Sequence, residues 1–218
     1  MKHFFAIAFC LLFLSCADFP EISYENRIEI VYGDDLVDSR GGYISYKTVV
    51  IGNQTWMAEN LKYQTTGVAC YGNNPANCNK YGALYDWETA MFACPDGWQL
   101  PSDDEWETLT RYVGGPLVAG NRLKATSGWE DYEDENSLGV LLSGNGTDRY
   151  GFSALPAGFV NAANAFRYEG LVTILWTSTP SSNTEAYSRM LFNMYNDIVL
   201  GEDDKSLMFS VRCIKNED

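Results

Sequence analysis

Three acidic runs are the densest collection of chemically capable side chains in the sequence: Asp103, Asp104, Glu105 and Glu107; Glu130, Asp131, Glu133, Asp134 and Glu135; and Glu202, Asp203 and Asp204. Carboxylates in such number could hold calcium, which takes about six to eight oxygens converging from several loops. None of the runs follows the alternating D-x-D-x-D-G order of an EF-hand. The first lies at a helix start, where acids favour the positive end of the helix dipole. The other two read as solvated loop charge, so no metal ligand is assigned. Phe166, Arg167 and Tyr168 set two aromatic faces beside a guanidinium, which suits stacking on a sugar ring or anchoring in a protein pocket. The plainer reading is an ordinary loop with one tucked aromatic. Trp129, between Gly128 and the second acidic run, either meets a ligand or anchors its own segment. These four are the candidate ligand-binding residues.

Catalytic chemistry is harder to find. His3 is the only histidine and lies at the extreme N-terminus. A chain processed beyond it has no Ser-His-Asp triad, no Cys-His pair and no histidine metal ligand. Two carboxylates can hydrolyse a glycoside, but nothing in the spacing sets a pair at the required separation. No catalytic residue and no cofactor is assigned. The formal charge of −14 disfavours nucleic acid, whose phosphates need a cationic surface. It reads instead as an acidic coat that keeps the protein soluble.

The N-terminus points out of the cytoplasm. Lys2, the apolar run Phe4 to Leu14 and the small Ser15 make a secretory signal, too short to span a membrane. Phe13-Leu14-Ser15-Cys16 resembles a bacterial lipobox, with Phe13 where leucine is commoner. Residues 1–16 are therefore expected to be a lipoprotein signal with the lipid on Cys16; a plain secretory signal cut nearby is the alternative. Residues 17–37 read as a tether, of roughly 25 Å root-mean-square reach if unstructured. The alternation of Ile28, Ile30 and Tyr32 within it permits a short strand. Asp18 and Glu21 faintly resemble export signals of surface lipoproteins, so the outer membrane or cell surface is the expected location.

The elements that must position the candidate residues are legible in part. Ser102 and Glu105 form a capping box, and Trp106, Leu109, Thr110 and Val113 share a helical face. Gly114-Gly115-Pro116 stops that helix. Asp86 is a plausible N-cap for a helix carrying Trp87, Ala90, Met91 and Cys94, ended by Pro95. Gly52-Asn53 predicts a hairpin between Tyr46–Ile51 and Gln54–Ala58, taken as the start of the domain. Residues 114–150 read as a long surface excursion anchored by the apolar run Leu138 to Leu142. Strands are expected at Gly151–Phe159, Leu171–Thr177, Tyr187–Met194 and Met208–Ile214. Loops at 160–170 and 195–206 should then meet at one end of the sheet. The 46% hydrophobic and 14% aromatic content supplies a core for one domain. Trp56, Trp87, Trp98, Trp106 and Trp176 belong in or near it. The pattern is α+β: two helices on a small twisted antiparallel sheet with long loops.

Four segments together resemble the Fibrobacter succinogenes major paralogous domain family. They are Tyr46 to Leu61; Tyr81-Gly82-Ala83-Leu84-Tyr85-Asp86-Trp87; the Cys94-Pro95-Asp96-Gly97-Trp98-Gln99-Leu100-Pro101 stretch running on to Trp106; and Val211-Arg212-Cys213. The resemblance covers roughly residues 38 to 216, and the domain is placed at 38–218. Gly41 to Ser45 departs from the shorter Asp-Gly turn usual in the family. The family is similar to the C-type-lectin-like superfamily, which implies that fold and no assigned activity. The Glu-Pro-Asn and Gln-Pro-Asp triplets of calcium-dependent lectins are missing, and Tyr195 replaces the Trp of their Trp-Asn-Asp motif ahead of Asn196-Asp197.

Cys70, Cys78, Cys94 and Cys213 form an even count in an oxidising compartment, hence two disulfides. Three pairings are open. The nearest pair, Cys70 with Cys78, closes a turn-rich loop and leaves Cys94 for Cys213, which the resemblance also implies. A four-cysteine zinc site would need C-x2-C pairs that are absent. The formylglycine-generating oxidases of the superfamily use two closely spaced cysteines near the C-terminal end, whereas here only Cys213 follows Cys94. The expectation is a non-enzymatic, lipid-anchored domain that recognises a glycan or protein at the cell surface. A structural role in the envelope is the alternative; an oxidase or a carboxylate glycosidase stands behind both.

Overall fold

The computed structural model describes residues 28–134 and 139–216. Cys16, the signal and most of the tether lie outside the described residues, as do Glu135 and Leu138. The alternation at 28–32 becomes strand β1 (Val31–Tyr32), followed by the hairpin of β2 (Leu36–Asp38) and β3 (Ile44–Tyr46). The folded unit therefore begins before residue 38. Asp38 is buried, and Arg40 donates to both its oxygens at 2.9 Å while reaching the Ala93 carbonyl at 2.8 Å. That clamp binds the opening hairpin to the domain.

The expected hairpin forms as β4 (Thr48–Ile51) and β5 (Gln54–Met57). Gly52 takes φ +66°, and its bare Cα accommodates the ring of Tyr112, which fits a glycine at the first turn position. After β6 (Val68–Ala69), the loop closed by the Cys70–Cys78 bridge contains the start of a helix, α1 (Pro75–Tyr81). Asn74 caps it and Pro75 starts it, so residues read as turn formers are here an N-cap and N1 pair. The strand β7 (Leu84–Tyr85) leads to α2 (Trp87–Ala90), a single turn capped by Asp86, and then to β8 (Trp98–Gln99). The capping box of α3 (Asp103–Tyr112) is present in both directions. Gly114-Gly115-Pro116 stops α3 and also starts α4 (Pro116–Leu123). Within α4, Gly120 is required because a side chain there would collide with the Asp197 carbonyl. The described residues thus hold four α-helices rather than the two expected.

The excursion is anchored differently from the expectation. Its β9 (Tyr132–Glu133) pairs with β10 (Leu141–Leu142), yet Val140, Leu141 and Leu142 are exposed. Trp129 is the anchor: it is 4% exposed and donates Nε1 to the Ala154 carbonyl at 3.0 Å. Residues 151–158 form irregular chain rather than a strand, reaching β11 (Phe159–Val160), which pairs with β12 (Phe166–Arg167). Two long strands follow, β13 (Val172–Pro180) and β14 (Glu185–Phe192). The stretch expected as a 195–206 loop contains β15 (Val199–Asp204). The expected last strand splits into β16 (Phe209–Ser210) and β17 (Ile214–Lys215).

Two sheets result. One runs β15-β14-β13-β16-β7-β6, antiparallel except where β13 meets β16; the other runs β1-β4-β5-β17-β8. Leu175 and Leu191 cover one side of the first sheet with Trp56, Trp106, Leu109 and Phe152. Trp56 and Trp106 have ring centroids 4.9 Å apart, and Phe152 lies 5.8 Å from each. Val172, Ile174 and Trp176 pack on the opposite side with Tyr85 and Phe209. The second bridge, Cys94–Cys213, ties the segment after α2 to the chain just before β17. All six tryptophans are buried or half-buried, as the sequence motifs require of five of them.

Candidate functional site

Strand periodicity places Val172 and Ile174 beside Phe192 and Met190 on one face, in the register Val172↔Phe192 and Ile174↔Met190. This face is only partly covered, and an apolar groove of about 1000 Å³ opens over it. The β11–β12 hairpin and the chain after it form one wall through Phe159, Tyr168 and Leu171; Leu207 and Phe209 form another. The aromatic members touch: Phe159 lies 5.9 Å from Tyr168 and 5.8 Å from Phe209.

The rim is polar and of one sign. Asp131 and Glu133 come from the excursion, Asn161 and Asn193 contribute amides, and Asp203 stands on β15; among the described residues no lysine or arginine lines the groove. The excursion is held there by Glu130 N–H donating to the Gly170 carbonyl at 2.9 Å and by Asn193 Nδ2 donating to the Glu130 carbonyl at 3.0 Å. Burial pushes the Asp203 carboxyl above its usual pKa, although Ser188 Oγ donates to it at 2.6 Å and favours its charged form. An apolar floor inside a carboxylate rim suits a ligand with apolar groups and a positive edge.

Of the four candidate residues, Tyr168 alone lines this groove. It is 57% exposed and holds φ at 62°, a conformation bulky side chains rarely adopt. Its carbonyl accepts from the N–H groups of Leu171 and Val172, both at 3.1 Å, which fixes the turn. Phe166 packs on Tyr71 instead, with centroids 5.2 Å apart. Arg167 is exposed and folds back on the Phe166 carbonyl at 3.1 Å. Trp129 is withdrawn beneath the excursion, its ring 5.2 Å from the ammonium of Lys124. The 160–170 hairpin and the edge strand β15, which lies in the stretch expected as the second loop, both line the groove. Met190 and Phe192 were not singled out in the sequence, although methionine and phenylalanine alternating with Leu191 form a second apolar face; Asp203 was read there only as part of a solvated acidic run.

Members of the first and third acidic runs find structural partners. Glu105 closes the capping box, Asp103 pairs with Arg189 at 2.5 Å, and Asp203 accepts from Ser188. Among the described residues, no three histidine, cysteine or acidic side chains converge as a metal-holding group. All four described cysteines are bridged. No described helix is long and apolar enough to cross a membrane.

The segments that build this scaffold decide the family. The model of the Fibrobacter succinogenes major domain matches residues 49–215, from β4 to β17. The chain belongs to the Fibrobacter succinogenes major domain family. No curated protein and no solved structure matches it. In this Fibrobacter major domain the matched region contains every residue lining the groove, together with both bridges.

Proposed function

We propose that the protein is a non-enzymatic, lipid-anchored binding domain on a C-type-lectin-like framework, displayed outside the cytoplasm at the outer membrane or cell surface. Its ligand is a polypeptide segment with apolar side chains and at least one basic group. The observation carrying this reading is the groove itself: Tyr168, Phe159, Met190 and Phe192 supply apolar walls, and among the described residues Asp131, Glu133 and Asp203 supply the charges lining it. A glycan can stack on an aromatic wall but brings no cation to the acidic rim; a peptide fills the apolar walls and pairs its cation with the rim. The bridged cysteines and the signal-like N-terminus support an oxidising location. The Cys94–Cys213 bridge to the chain before the last strand supports the lectin-like framework.

The test is panning of a random phage-displayed peptide library on the immobilised oxidised protein, with a glycan array run in parallel. Enriched peptides should combine aromatic or aliphatic residues with lysine or arginine and lose binding on Tyr168→Ala. Glycan hits with no peptide enrichment would overturn the peptide reading.

A further inference from the structure

A second cavity, of about 350 Å³, has the opposite character. Its lining includes Lys47, Lys62, Lys80 and Arg212 against one carboxylate, Glu59. Four of the chain's 15 basic residues therefore surround one small concavity in a protein of charge −14. They come from separate parts of the fold: Lys47 from between β3 and β4, Lys62 from beyond β5, Lys80 from α1, and Arg212 from between β16 and β17. Among the described residues Glu59 forms a direct ion pair with one of them, Lys62, whose Nζ lies at 2.5 Å, and acts on Arg212 at longer range. Lys80 Nζ donates to the Tyr81 hydroxyl at 2.5 Å.

Arg212 is the decisive member. It is 1% exposed, and its bonds run to neutral acceptors: Nε and Nη2 to Asn60 Oδ1 at 3.0 and 2.7 Å, and Nη1 to the Phe152 carbonyl. Among the described residues, no carboxylate forms an ion pair with it. A guanidinium has five N–H donors, so among the described residues this one has two beyond those three bonds. A buried cation with no carboxylate in direct contact is costly; Asp148 and Glu59 act on it only at longer range, and it sits in the wall of a cavity lined by three further cations.

We propose that this cavity binds a small molecule bearing an oxyanion, a carboxylate or a phosphate, on a body the size of a monosaccharide. Arg212 supplies the fixed donors at the base, and Lys47 and Lys80 close on the anion from the exposed side. The volume lies at the low end of small-molecule sites. The site is separate from the apolar groove and stands whether or not that groove takes a peptide.

Isothermal titration of the full oxidised chain with glucuronate, glucose and inorganic phosphate tests the proposal. Glucuronate, phosphate or both should bind saturably, more weakly as salt is raised, with glucose silent. Lys47→Gln and Lys80→Gln, at exposed positions, should together weaken binding by about tenfold or more, the loss expected from removing charge-assisted hydrogen bonds. Glucuronate alone binding assigns a carboxylate ligand, and phosphate alone assigns a phosphorylated one. No saturable anion binding by the folded chain, equal binding of glucose, or binding unmoved by the double substitution would overturn it.

Discussion

Arg189 Nη2 lies 2.5 Å from Asp103 Oδ1, joining β14 to the first turn of α3 across 86 positions of sequence. The arginine side chain is 6% exposed and the aspartate 28%. Removing the acid strands a buried cation. Asp103→Ala should therefore destabilise the domain by about 2 kcal/mol, below the ~3–5 kcal/mol typical of a fully buried pair. Adding Arg189→Met should recover part of that loss. Urea unfolding of the single and double variants checks both; a loss under about 0.5 kcal/mol for Asp103→Ala would mean that the pair contributes no more than an exposed one.

The two bridges should differ in worth. Cys70–Cys78 spans 8 positions and Cys94–Cys213 spans 119. In the chain-entropy view these loops correspond to about 2.5 and about 5 kcal/mol as upper values. Replacing Cys94 and Cys213 by serine should lower stability more than replacing Cys70 and Cys78. The short bridge also holds the start of α1, so its loss should speed proteolysis between residues 70 and 82 before global unfolding. Denaturation midpoints and limited proteolysis of the paired variants decide the order.

Local signals were readable where a few neighbouring residues suffice. Ser102 with Glu105, Asp86 as a cap, and Gly52-Asn53 each act over four residues or fewer, and each is found as expected. What failed to show was decided by distant partners. Gly120 inside α4 looks like a helix breaker until the Asp197 carbonyl is placed against it. The edge strand β15 alternates exposed Leu200, Glu202 and Asp204 with half-buried Val199, Gly201 and Asp203; its acids made it read as a loop, though charge on an edge strand guards against pairing with another chain. The groove was hidden for a related reason. Val172 to Trp176 reads as buried on both faces, and only the folded chain shows that the excursion leaves one face partly open.

Trp129 and Tyr168 should separate under mutation. Trp129 is buried and hydrogen-bonded, so Trp129→Ala should cost about 3 kcal/mol or more through the cavity it leaves. Tyr168 is exposed and strained at φ 62°. Tyr168→Gly should leave stability unchanged or slightly raised, since glycine takes that φ freely, while weakening the peptide ligand. Thermal melts beside peptide titrations read out the pair. A large stability loss for Tyr168→Gly would place that ring in the structural frame instead of the binding wall.

Lys124 should give the domain a signature in alkaline solution. It is 1% exposed, and its Nζ donates to the carbonyls of Phe192, Asn193 and Tyr195 at 2.9–3.1 Å. Burial lowers its pKa to about 8. Between that value and the roughly 10.4 of an unfolded lysine, the unfolded chain binds more protons than the folded one. Stability from this group must then rise with pH across the window. Tyr46 acts in the reverse sense: burial raises it to about 12, so its contribution is lost as pH climbs from about 10. Lys124→Met removes the first effect and keeps the second. Across pH 8 to 10, wild-type stability should therefore gain on that of Lys124→Met, measured by urea unfolding at each pH. A constant difference would show that the three carbonyls hold the ammonium charged throughout the window.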